Sequence, residues 1–162
     1  MRTKILYGTI FVAILGFAIA AIVVTSQRNE VQTGLLKPQD PGVLALGKTL
    51  YADNCASCHG VELEGQVADW RSPGPDGLMP APPHDETGHT WHHSDEILFE
   101  ITKFGIVAAA KLKNYESAMP IYEDLLSDAE IIAVLSYLKS RWPDEIRKRH
   151  DEMNARSALE PK

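Results

Sequence analysis

The chain has 162 residues, of which 44% are hydrophobic and 23% charged, and its formal net charge is −6 at pH 7. This length fits one domain of ordinary size with short extensions at its ends. Eight basic and seventeen acidic residues lie in 29–143, an excess of negative charge that excludes a nucleic-acid partner and favours a basic protein partner.

Residues 1–28 predict an N-terminal membrane anchor. Arg2 and Lys4 precede twenty uncharged residues, 5–24, which would make about 30 Å of helix and match the core of a bilayer. A cleavable signal peptide is the alternative, because the small residues at 18–20 resemble a cleavage site. The apolar run continues past that site, which favours an uncleaved single-pass helix. In either case the basic end stays inside and the rest of the chain is exported.

Residues 29–40 show no sustained periodicity and are interpreted as a tether. The domain itself is predicted to span residues 41–143. Residues 144–162 form a charged C-terminal tail, weakly apolar, which is typical of a solvent-exposed helix that frays at its end. Docking of this tail onto a partner is the other interpretation.

A helix is predicted to lead into the only two cysteines of the chain. Asp40 is a good N-cap, and Pro41 suits the first helical position. The helix that follows would carry one stripe of small and apolar residues along one face, at helical spacing. These are Val43, Leu46, Gly47, Leu50 and Tyr51. The helix therefore delivers the chain directly to Cys55.

The segment Cys55-Ala56-Ser57-Cys58-His59 has the spacing of a c-type haem attachment site. Each thiol can add across one vinyl group of a porphyrin, and the imidazole of His59 is then placed to ligate the iron. The sequence thus predicts one covalent haem c, attached through Cys55 and Cys58.

Other kinds of Cys-x-x-Cys site fit this context less well. A thioredoxin-type redox motif is expected between a strand and a helix, whereas a predicted helix precedes this pair. A zinc site needs two further ligands at close spacing, and the chain holds no second cysteine pair. A structural disulfide that closes so short a loop gains little entropic stabilisation.

Residues 61–93 form a long irregular stretch rich in proline, glycine and histidine, and loops of this length are usually functional or disordered. Trp91 is a candidate donor to a haem propionate, with simple packing beside the haem as the alternative. The loop histidines could bind copper or another metal, although loop histidines are more often merely solvated. They are His84, His89, His92 and His93.

Two further helices are predicted after this loop. Ser94 caps the first of them, which ends before Gly105 and is expected to bury Ile97, Leu98, Ile101 and Phe104. Ser127 and Glu130 form a capping box for the last helix, which ends near Arg141. The expected core stripe of that helix is Ile131, Val134, Leu135 and Leu138. No segment alternates like a strand, so the domain is predicted to be all-α.

A fast electron carrier needs a second axial ligand on the iron, and Met119 is the favoured candidate. It precedes Pro120 in a loop just before the last helix, and the proline stiffens the loop that must hold a weak thioether ligand. Met79 also precedes a proline and is the rival, with the loop histidines as a third source. Ligation by histidine and methionine raises the reduction potential, which suits a respiratory chain.

The domain resembles a class I c-type cytochrome over residues 43–143. The resemblance is carried by four features: the run Cys55 to Gly60, Gly47 and Tyr51 before it, Ser117-Ala118-Met119-Pro120, and a last helix that ends in Trp142-Pro143. It implies a small cytochrome c fold of three or more helices around one covalent haem, preceded here by the transmembrane helix.

The resemblance also implies two contacts inside the domain. Gly47 and Tyr51 are expected to meet Val134 and Tyr137 where the first and last helices cross. A proline carbonyl, from Pro82 or Pro83, is expected to accept the ring proton of the haem-ligating histidine, as partners of metal ligands often do.

The expected function is single-electron transfer on the periplasmic side of the inner membrane. The partners would be redox proteins in the same membrane or in the periplasm, reached from a single-pass anchor. A cytochrome subunit of a larger oxidase or dehydrogenase is the first alternative, and a haem protein with an added copper-handling role in its histidine-rich loop is the second. No enzymatic activity of its own is expected.

Overall fold

The computed structural model of the chain describes residues 34–159, and the predicted anchor lies outside this range. None of the helices within the range is both long and apolar enough to span a bilayer. The regular secondary structure of residues 34–159 is entirely helical, which confirms the all-α prediction. In chain order it consists of α1 (Pro41–Asn54), α2 (Ala56–His59), a 3₁₀ turn (Thr90–His92), α3 (Asp95–Phe104), α4 (Ile106–Ala109), α5 (Asp128–Arg141) and α6 (Asp144–Ser157).

The helices begin at the predicted capping residues. The Asp40 side chain accepts the backbone N–H groups at the start of α1, at 2.9 and 3.1 Å. Ser127 and Glu130 form both halves of the capping box of α5, and Ser94 caps α3 through its hydroxyl. These local bonds satisfy donors that a helix start would otherwise leave unpaired.

The centre of the fold is the crossing of α1 and α5. Gly47 lies at the crossing, where a Cβ atom would overlap the backbone carbonyl of Ala133 and crowd the Cβ of Tyr137. Beside it, the rings of Tyr51 and Tyr137 lie 5.7 Å apart. The closest neighbour of the glycine is therefore Ala133 rather than the expected Val134, and only a residue without a side chain allows this approach.

The core stripe predicted for α5 is confirmed, since all four of its members are buried. The expected burial of Ile97 and Phe104 on α3 is wrong, because these side chains are 45% and 38% exposed. The face that α3 buries carries Asp95, Leu98 and Thr102. Residues three or four apart share a helix face. Because the buried face of α3 includes two polar residues, Ile97 and Phe104 lie on the exposed side of the helix.

The C-terminal segment is a docked helix, and the expectation of a solvated tail is wrong for part of it. His150 and Asn154 lie four residues apart on one face of α6, and both are buried. Asn154 bonds to Asp95 at the start of α3, while Lys139 of α5 forms an ion pair with Asp151 at 2.6 Å. Because the buried face is polar, the apolar pattern of the sequence does not reveal it.

Candidate haem-binding site

The cysteine–histidine segment forms the single helical turn α2. The N–H of Cys55 donates to the carbonyl of Tyr51, and the N–H of His59 donates to the carbonyl of Cys55, both at 2.9 Å. Gly60 ends the turn with a φ of +83°, a conformation that favours glycine. The Gly60 carbonyl accepts the Tyr51 hydroxyl at 2.6 Å. The end of α1 and the turn α2 are thus joined into one rigid unit.

Both thiols are free, as thioether attachment to haem requires. Cys55 is partly buried, and burial raises the pKa of its thiol to about 11 despite the opposing contact with the Tyr122 hydroxyl. Cys58 lies at the surface. The two sulfur atoms are therefore available to a porphyrin, and that of Cys55 is protonated at neutral pH.

His59 is prepared to ligate a metal through one nitrogen. Its Nδ1 lies 2.9 Å from the carbonyl oxygen of Pro82, and Nδ1 must carry the proton because a carbonyl only accepts. Burial lowers the pKa of His59, so the ring is neutral near pH 7. Nε2 then keeps its lone pair.

The loop that carries Met119 is tied to the haem attachment segment. Met119 is partly buried against the hydrophobic core, as is Cys55, and its N–H donates to the Ser117 hydroxyl at 3.1 Å. Three residues later, the Tyr122 hydroxyl donates to the carbonyl of Asn54 at 2.8 Å. Tyr122 was missed by the sequence analysis, because nothing in its local pattern identifies a partner so far away along the chain.

Two clefts open between the loop after His59 and the loop before Met119. The larger has a volume of about 710 Å³ and lies between residues 76–79 and residues 107–116. The smaller has a volume of about 320 Å³ and reaches Ala118. Met79, the rival ligand, lines both clefts, whereas the two cysteines, His59 and Met119 line neither.

The aromatic side chains of the loop 61–93 stack on histidine rings of the same loop. Trp91 donates its indole N–H to the carbonyl of Glu86 at 3.4 Å and stacks on His92. The indole proton therefore has an acceptor within the protein, and its donation to a haem propionate stays a prediction. His89 stacks on Trp70.

Among the loop histidines, His84 stacks on His59. Burial lowers the pKa of His84 well below its usual value, with the neighbouring His59 acting in the same direction. Across residues 34–159, no three side chains of histidine, cysteine, aspartate or glutamate gather as a metal site.

Comparison with known proteins places this site in a family. The profile of the family described as Cytochrome c matches residues 44–142, more than half of the chain, and the chain belongs to that family. It is also 31% identical over 102 residues to the "Cbb3-type cytochrome c oxidase subunit CcoP" of Azospirillum sp. (strain B510), an alignment that covers 63% of this chain and 30% of that protein. The chain thus spans less than a third of the relative's length. None of the solved structures is a significant match.

A cytochrome c domain implies a covalent c-type haem, and Cys55 and Cys58 have the spacing that attaches it. The structure fits this group, because two cysteines without a disulfide and a neutral imidazole that keeps the Nε2 lone pair lie together at the turn α2 and its N-cap. The family supports haem-based electron transfer, and the relative is a subunit of an oxidase. A cytochrome c domain indicates an electron carrier.

Proposed function

We propose that the chain is a single-haem electron carrier, tethered to the inner membrane with its haem domain in the periplasm. The observation that carries the ligand assignment is the hydrogen bond from Tyr122 to Asn54, since it ties the Met119 loop to the attachment segment. The membrane tether is inferred from the twenty uncharged residues 5–24.

Each residue of the site has a distinct role in this proposal. Cys55 and Cys58 hold the haem by thioether bonds, so it cannot dissociate. His59 and Met119 would ligate the haem iron, and the Pro82 carbonyl fixes the tautomer of His59. The bound haem supplies an iron that changes oxidation state by one electron. With His59 and Met119 as its two protein ligands, the iron would need little rearrangement of the protein when its charge changes.

Three neighbouring residues, Pro82, Pro83 and Trp91, complete the surroundings of the ligands. The carbonyl of Pro82, and not that of Pro83, meets His59. Pro83 is buried, and its carbonyl lies against Gly88, where a Cβ atom would overlap it. Trp91 packs against the hydrophobic core. Pro83 and Trp91 therefore shape the loop around the histidine side of the site without contacting its imidazole nitrogen.

The ligand assignment is tested by absorption spectra of the ferric holoprotein. A methionine sulfur on ferric haem iron gives a near-infrared charge-transfer band, and Met119→Ala is expected to abolish it. Met79→Ala is the matched control, because Met79 also precedes a proline and lies in a loop. Loss of the band in Met79→Ala with retention in Met119→Ala would transfer the role to Met79.

A second candidate function is that of a cytochrome subunit in a larger oxidase, and the similarity to an oxidase subunit favours it. Native electrophoresis of detergent-solubilised membranes, stained for haem, separates the two possibilities. A free carrier migrates near its own mass of 17.9 kDa plus bound detergent. A subunit migrates with a much larger complex that also shows oxidase activity.

A further inference from the structure

The ring of His84 lies directly against the ring of His59. The two ring centroids are 4.0 Å apart and the ring planes differ by 19°, so the imidazoles stack face to face. His84 has no part in holding the haem under the proposed function. Its position beside an iron ligand therefore calls for a separate explanation.

His84 is held in this position from three sides. Its Nδ1 lies 2.7 Å from the hydroxyl of Thr90, which is buried. Its N–H donates to the carbonyl of Leu63 at 2.8 Å, and its own carbonyl accepts the indole N–H of Trp142 at 2.7 Å. Leu63 has a φ of +73°, and a non-glycine residue keeps such a backbone only where its surroundings hold it firmly.

The hydrogen bond to Pro82 leaves one motion of the His59 ring unrestrained. That bond fixes where Nδ1 points, but it does not fix the tilt of the ring plane about the bond. A flat ring held against one face opposes this tilt, because aromatic faces in contact prefer a parallel, offset arrangement. The stack and the hydrogen bond thus restrain His59 in complementary directions.

We propose that His84 is a positioning residue that sets the plane of the His59 imidazole, and that Thr90 and Trp142 keep His84 in place. This inference rests on the proposed function, in which His59 ligates the haem iron. Partners of a metal ligand orient it and tune the metal. The plane of an axial imidazole affects the electronic structure of ferric haem iron, so His84 is expected to influence the g values and the reduction potential.

The test uses full-length holoprotein that carries single substitutions. His84→Ala removes the stacked ring, and it is expected to shift and broaden the g values in electron paramagnetic resonance spectra and to change the reduction potential. His84→Phe keeps a flat ring against His59 and is expected to restore most of the parental g-value pattern. Thr90→Val removes only the anchor of the His84 ring, and its expected shift is smaller than that of His84→Ala.

His92→Ala is the matched control, because His92 belongs to the same loop but stacks on Trp91. It is expected to keep the parental g values. Parental g values and potential in His84→Ala would overturn the inference, as would an equal shift in His84→Phe. If His84→Ala yields no holoprotein, Thr90→Val decides, since it alters no atom of His84, and parental g values there would also overturn the inference.

The near-infrared band separates this inference from the proposed function. If the parent shows the band and the g values do not move in the His84 and Thr90 variants, the inference fails and the proposed function stands. If the parent lacks the band, the proposed methionine ligation fails, whatever the g values of the variants.

Discussion

Gly47 sets how closely the first and last helices of the cytochrome domain approach each other. The nearest atoms to a Cβ at this position belong to the Ala133 backbone, which cannot rotate away as a side chain could. A larger residue must therefore push α1 and α5 apart, along with the Tyr51 and Tyr137 rings that pack beside the crossing.

We expect Gly47→Val to destabilise the holoprotein by about 1–3 kcal/mol, the usual cost of overpacking a well-packed core. Denaturant unfolding followed by circular dichroism measures the change. Gly42→Ala is the matched control, because a Cβ at Gly42 meets only the Asp40 side chain, at 3.4 Å. Equal stability of Gly47→Val and Gly42→Ala would show that the crossing tolerates a side chain.

His150 is a buried histidine surrounded by charged and polar groups. Its Nε2 lies 2.9 Å from the His93 carbonyl and 3.6 Å from the Asp95 carboxylate, and Lys139 and Asp151 also face it. Burial lowers the pKa of His150 most, followed by the Lys139 cation, while the other groups act in the opposite direction. The unfolded chain therefore binds a proton at this position more tightly than the folded chain.

This difference predicts a pH dependence. A histidine with a lowered pKa in the folded state contributes its full stability above its unfolded pKa of about 6.5, and loses it as the pH falls through the folded pKa. We expect the free energy of unfolding of the holoprotein to fall less steeply below pH 6.5 in His150→Gln than in the parent. Urea titrations at stepped pH measure the slopes, with His92→Gln as an exposed control. Parallel curves for His150→Gln and the parent would contradict the pKa assignment.

At the scale of elements, α6 is fastened to the domain by buried polar contacts. Asn154 accepts the backbone N–H of Asp95 at 2.9 Å and donates to the Asp95 carboxylate at 2.8 Å. That carboxylate has no exposed surface and also accepts the N–H of Leu36. The segment before α1, the start of α3 and the face of α6 therefore meet at one carboxylate.

Asn154→Ala removes two hydrogen bonds of the buried Asp95, one to its backbone N–H and one to its carboxylate. We expect a loss of about 1–3 kcal/mol in the free energy of unfolding, the usual cost of an unsatisfied buried polar group. Glu152→Ala changes an exposed residue of the same helix and is expected to be nearly neutral. Equal unfolding midpoints for the two variants would mean that α6 contributes little to the stability of the domain.

The helices that could be predicted from the sequence are those that begin at a capping residue close to the backbone groups it bonds. Asp40, Ser94 and Ser127 each bond to backbone within three residues, so their roles follow from neighbouring sequence. The docking of α6 could not be predicted, because Asn154 and Asp95 are far apart in the chain and neither is apolar. Hydrophobic periodicity carries no information about a buried contact made by an amide and a carboxylate.

The same distinction applies to the site. Cys55, Cys58 and His59 could be predicted from their spacing, since all three lie on one helical turn. Tyr122 and the stacking of His84 could not, because each contact joins segments that only the folded chain brings together. A sequence motif is therefore enough to predict the cofactor, but it does not predict which residues surround the ligands.

At the scale of the whole molecule, the proposed function uses two segments of the chain. Residues 5–24 are uncharged, and residues 29–143 carry more acidic than basic residues. An anchor keeps the haem domain within reach of partners in the same membrane, and an excess of negative charge steers it towards a basic docking surface. The similarity to an oxidase subunit is consistent with respiratory partners.

The most direct test is a redox titration of isolated membranes, followed by absorption spectroscopy, with the parent chain and Met119→Ala expressed separately. The parent is expected to show a c-type haem spectrum in the membrane fraction, one single-electron transition and the near-infrared band. Met119→Ala is expected to keep the covalent haem but to lose the band and to titrate at a lower potential. A parent without covalent haem, or a Met119→Ala variant with an unchanged band and potential, would contradict the assignment of this chain as a histidine- and methionine-ligated electron carrier.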